Sequence, residues 1–124
     1  MNALSTTGRI LFALPFGVFG INHFLNATVL AGYVPAFFPG DAIWVYLTGI
    51  IFLAACICII AERKVRLAGM LLGIILLVFV LTIHLPGLFN SVQTSLTPFL
   101  KDLALAGAAF YVAGHYHDND MEVE

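Results

Sequence analysis

Residues 66–87 read RLAGMLLGIILLVFVLTIHLPG. Between Leu67 and Ile83 no side chain is charged, and only Thr82 can hydrogen-bond. At ~1.5 Å per residue, one helix over such a run crosses a hydrocarbon core of roughly 30 Å. Arg66 opens the run, at the end of the cluster Glu62-Arg63-Lys64-Val65-Arg66, and His84 closes it. Pro86-Gly87 is predicted to stop the helix. The stretch therefore defines a membrane span with one polar ring near its far end.

The rest of the chain reads the same way. Of 124 residues, 61% are hydrophobic and 10% charged, where a soluble domain carries about 25% charged residues. This excludes a soluble globule and a disordered segment. The first residues, MNALSTTGR, hold one basic side chain, Arg9, and no small-x-small site precedes Asn22-His23. That pattern predicts a retained first span rather than a cleaved leader. There is no glycine-rich phosphate loop, nucleophile elbow or HExxH. Nothing points to nucleic acid.

The expected fold class is all-α, a single integral membrane four-helix bundle with spans at about 10–25, 42–61, 66–85 and 97–115. Pro15 falls inside the first span, and Gly17 and Gly20 offer close-approach surfaces there. The connection NATVLAGYVPAFFPGDA carries Tyr33, Phe37 and Phe38, with Trp44 following, and reads as an interfacial or re-entrant loop. Asp41 is placed to cap the second span, and Thr97 to cap the fourth with Pro98 in its first turn. Gly69-x-x-x-Gly73 is a small-residue packing motif, within the bundle or against a second copy. Asp102, Ala106, Ala109 and Ala113 share one helical stripe, a face built for close packing. Cys56 and Cys58, at i and i+2 on a helix, point about 160° apart and read as apolar fillers.

Arg9, Arg63, Lys64 and Arg66 fall on one side of four alternating spans, against Lys101 alone on the other. The positive-inside rule then puts both termini in the cytoplasm. The remaining polar side chains gather near the opposite face: Asn22 and His23, Tyr46 and Thr48, Thr82 and His84, Lys101 and Asp102. Ionisable groups at membrane depth pair with one another or face a cavity. His84 and Asp102 should both point inward, with Asp102 accepting from His23 or His84 and fixing the imidazole tautomer, and Lys101 reaching outward or completing a pair.

Three readings of this layer stand open. It is a polar cluster that only fixes helix register. It is a small-molecule site for a quinone head group, a lipid or another amphiphile, built from His23, His84, Asp102, Lys101, Asn22 and Thr48. Or it is a metal site from His23, His84 and Asp102, which no local spacing supports. Haem between two histidines and a tail site at His115 and His117 are weaker alternatives. No metal is therefore expected, and quinone is the candidate cofactor.

The ordered pieces resemble the DoxX / DoxX-like family of small four-span membrane proteins. They are Phe16-Gly17 through Gly20-Ile21-Asn22-His23-Phe24, Tyr46-Leu47-Thr48-Gly49, Arg66 to His84-Leu85-Pro86-Gly87, and Leu100-Lys101-Asp102-Leu103-Ala104-Leu105-Ala106-Gly107. The resemblance covers nearly the whole chain. It implies a four-helix bundle in the bacterial inner membrane and an accessory role in a quinone- or quinol-linked redox system. The same family includes non-enzymatic chaperones and cargo receptors, so a scaffold or lipid-binding role is the alternative it implies. Partners are then the bilayer, another membrane protein or a second copy of the chain. One departure stands out: Phe52 occupies the position, shortly after Thr48-Gly49, where many relatives carry a glutamate. The paired outer cysteines of thiol-redox relatives are also missing, because Cys56 and Cys58 lie in the inner half of their span.

Overall fold

The computed structural model describes residues 2–116, which are almost entirely helical and contain no strand. Helix α1 runs Ala3–Leu25, followed by a short α2 (Ala27–Leu30) and a 3-10 turn (Ala31–Tyr33). Helix α3 is Asp41–Ala61. The third span is α4 (Val65–Phe79), a π turn (Val80–His84) and α5 (Leu85–Asn90), and α6 closes the bundle at Val92–Gly114. Among the described residues four helical stretches, with α4 to α5 counted as one, are long and apolar enough to cross a membrane.

The helix ends differ from the sequence expectation in an informative way. α1 begins at Ala3 rather than near residue 10, because Asn2 caps it by accepting from the Ser5 N–H at 2.8 Å. Helix α1 continues through Pro15. Asp41 does not cap α3. Gly40 does so in the left-handed conformation (φ 77°), and Asp41 occupies the first turn, where its charge favours the positive helix end. Pro86-Gly87 does not stop the third span, which continues to Asn90. Thr97 is not a cap either: Ser91 caps α6, which leaves Pro98 inside the helix. Three prolines thus sit within spans, a pattern that membranes tolerate.

Two antiparallel pairs make the bundle, α1 along α3 and α4 along α6, joined by a seam between α3 and α4. Small residues set both close crossings. A Cβ at Gly20 would lie 2.9 Å from the Gly49 carbonyl oxygen, so α1 and α3 meet backbone to backbone. A Cβ at Gly69 would lie 2.8 Å from the Ala109 carbonyl, and one at Gly73 would strike the Phe110 ring. The Gly69-x-x-x-Gly73 face is therefore used inside the bundle, against the buried stripe Asp102, Ala106, Ala109 and Ala113. Cys56 and Cys58 are free thiols.

At the end where α1 begins and α6 finishes, Arg9 is buried (8% exposed). Its Nη1 donates to the carbonyls of Ile59 (2.6 Å) and Ile60 (2.9 Å) in the last turn of α3, the first of which also accepts from the Glu62 N–H at 3.4 Å. Its Nη2 lies 3.7 Å from Glu62, which also accepts from the Tyr116 hydroxyl at 2.9 Å. Arg9, expected only as a topology signal, clamps α1 to the α3–α4 turn.

Candidate functional site

The third span brings its polar residues to the site through an irregularity. Pro86 has no N–H to offer the Thr82 carbonyl, and its ring crowds that oxygen. The ladder widens, and the Leu85 N–H donates to the Val80 carbonyl, five residues back. Such π segments often mark functional sites. Thr82 and His84 lie within this turn.

His84 Nε2 lies 2.8 Å from Asp102 Oδ2, with the carboxylate accepting. Lys101 Nζ stands 3.4 Å from the other oxygen, Oδ1, and 5.6 Å from the Phe19 ring centroid. Asp102 is buried and Lys101 is exposed. A carboxylate beside a lysine is balanced in charge, and the imidazole and the aromatic face complete its surroundings. Of the two expected partners for Asp102, the structure selects His84.

His23 stands apart from that pair. Its Nδ1 donates to the Phe19 carbonyl at 2.6 Å, and its ring meets Phe52 edge-on at 5.2 Å. Phe52 is buried (3% exposed) and also touches Phe16, Phe19 and Phe79. At the position where the resemblance led us to expect a carboxylate, the chain has an aromatic hub.

Between the helix pairs, at the end away from the termini, lies a cavity of about 680 Å³. His23, Thr48, Thr82, His84, Lys101 and Asp102 line it, among walls that are mostly carbon. Its aromatic lining comes from Phe19, Phe38, Trp44, Phe52 and Phe79. Leu30, Tyr33, Val34, Pro35 and Phe38 of the first connection also line it, so that segment folds over the cavity. Trp44 braces the segment, donating its indole N–H to the Pro39 carbonyl at 2.6 Å and stacking on Phe38.

Two expected members are elsewhere. Asn22 is exposed, bonds Asn26 on its own helix, and does not line the cavity. Tyr46 stacks on Phe24 outside it. His84 and Asp102 also lie further from the ends of their helices than expected. The third span ends at Asn90 and α6 starts at Val92, about five residues beyond the expected limits on each helix, or roughly 7 Å of rise. Among the described residues no three His, Cys, Asp or Glu side chains gather as a metal set. His23 and His84 instead engage separate partners, the Phe19 carbonyl and Asp102. His115 packs against Tyr111, and His117 lies outside the described residues. The cavity-covering role of residues 30–38 was missed in the sequence, although their aromatic and proline content marked the segment.

An all-α bundle of membrane-spanning helices around a largely apolar cavity, with His84 and Lys101 gathered on a buried Asp102, is the class that fold and site define. The chain belongs to the family described as a domain of unknown function (DUF8561), which matches residues 12–113. No curated protein and no solved structure matches it.

Proposed function

We propose that this protein binds a lipid-soluble, ring-headed amphiphile of the quinone or quinol class, as an accessory component of a membrane redox system. The cavity carries the reading. Its volume of about 680 Å³ falls in the range of small-molecule sites, and few polar groups converge within apolar walls. His84, Asp102 and Lys101 supply hydrogen bonding and charge on one side, His23 on another. The resemblance to DoxX-like proteins supplies the redox context and the bacterial inner membrane. With the Arg9 and 62–66 end in the cytoplasm, as the positive-inside rule favours, the cavity opens in the outer half of the bilayer.

The test is to purify the protein gently, record native mass spectra and absorption, and titrate a short-chain quinone while following Trp44 fluorescence. Bound quinone or saturable quenching, lost in the His84→Ala protein, is the expected result. A ligand-free protein that shows no saturable response to quinone or quinol would overturn the reading and favour a scaffold or chaperone role.

A further inference from the structure

Apart from the Tyr33 hydroxyl, the proton of each neutral polar side chain lining the cavity can be followed to its acceptor. Thr48 donates its hydroxyl proton to the Trp44 carbonyl (2.8 Å), and Thr82 donates to the Val78 carbonyl (2.7 Å). The Trp44 N–H is committed to the Pro39 carbonyl. A carbonyl oxygen only accepts, so His23 carries its hydrogen on Nδ1, facing Phe19. A carboxylate also accepts, so His84 carries its hydrogen on Nε2, facing Asp102. In a neutral imidazole the second nitrogen then accepts.

His23 Nε2 and His84 Nδ1 make no hydrogen bond within the described residues. Neither is sealed, because Arg9 Nε is the one buried, unpartnered side-chain nitrogen or oxygen among those residues. With both imidazoles neutral, the residues lining the cavity offer two imidazole lone pairs and two threonine oxygens. Against these acceptors stand the Lys101 ammonium, already turned to Asp102 and Phe19, and the Tyr33 hydroxyl, which can donate or accept.

We infer that the cavity selects a hydrogen-bond donor, and that its ligand class is an alkylated phenol or hydroquinone held in its hydroxyl form. This rests on the cavity being a ligand site and specifies what that site takes. A ring bearing only carbonyl oxygens leaves the imidazole lone pairs unsatisfied, which costs affinity. A hydroxyl donates to an imidazole, and its oxygen still accepts from Lys101. The faces and edges of Phe19, Phe38, Phe52 and Phe79 suit an aromatic ring.

The experiment compares 4-nonylphenol with its methyl ether on the full native chain in nanodiscs. Trp44, the single tryptophan, lines the cavity and reports binding. The phenol should bind roughly tenfold or more tightly than the ether. That advantage should shrink in at least one of His23→Phe and His84→Phe, which keep a ring and remove the lone pair. Equal affinities, a tighter ether, or an advantage undiminished in both variants would overturn the donor selection and leave the ligand site standing. If phenol, ether and quinone all fail to bind, the proposed function falls and this inference falls with it.

Discussion

His84 Nε2 lies 2.8 Å from Asp102 Oδ2, tying the π turn of the third span to the buried stripe of α6. The contact joins a widened helix, produced beside Pro86, to the face along which α4 and α6 pack. Removing either partner leaves a polar group in apolar surroundings. In a double-mutant cycle, His84→Ala and Asp102→Ala should show a coupling of roughly 1–2 kcal/mol. Thermal unfolding in detergent of the four proteins measures it, and additive effects would mean the pair contributes nothing jointly.

Phe52 anchors the aromatic cluster between α1, α3 and the third span. Phe52→Ala should destabilise by about 3–5 kcal/mol, with Phe52→Leu much milder because it keeps most of the volume. Placing a glutamate there would bury a carboxylate among Phe16, Phe19 and Phe79, and should lower the unfolding midpoint at least as far as the alanine does. A midpoint for Phe52→Glu close to that of the native protein would show that the cluster is wetter than its packing implies.

The α1–α3 crossing depends on space. A Cβ at Gly20 meets the Leu53 side chain and two backbone atoms, the Gly49 carbonyl oxygen and the Leu53 nitrogen, whereas a Cβ at Gly107 meets nothing within 4 Å. Gly20→Ala should therefore cost about 1–3 kcal/mol. Gly107→Ala should be neutral or stabilising by up to about 1 kcal/mol, through helix propensity. The two variants differ by one methyl group each, so opposite shifts in unfolding midpoint isolate the packing.

Arg9 serves two carbonyls in the last turn of α3 from a different helix. Arg9→Leu should destabilise by about 2–3 kcal/mol, the loss of charged hydrogen bonds to groups that stay buried. Arg9→Lys should recover half of this or less, since an ammonium cannot reproduce the planar fork that reaches both carbonyls and Glu62. Protease resistance of the detergent-solubilised protein, followed with temperature, provides the readout. Full rescue by lysine would reduce the clamp to charge alone.

What the sequence determined by itself is the local and the periodic. Uncharged runs such as Leu67–Ile83 fix the existence and number of spans, because backbone groups in hydrocarbon must be satisfied within a helix. The spacing of Asp102, Ala106, Ala109 and Ala113 named a buried face before any neighbour was known, since the 3.6-residue repeat is a property of one helix. Gly69 and Gly73 likewise announced a close contact, though not that Ala109, Phe110 and Ala113 would fill it. Only the tertiary structure chose His84 over His23 for Asp102, moved Asn22 out of the site, folded residues 30–38 over the cavity and turned Arg9 into a clamp. Those outcomes depend on how helices are rotated and registered against one another, and a single chain pattern does not contain that relation. The helix limits failed for a different, local reason. Ser91 and Asn2 act as caps through their own side-chain acceptors, and Pro86 and Pro98 are absorbed into helices that continue past them. His84 and Asp102 therefore sit further from their helix ends than their distance from a proline suggested.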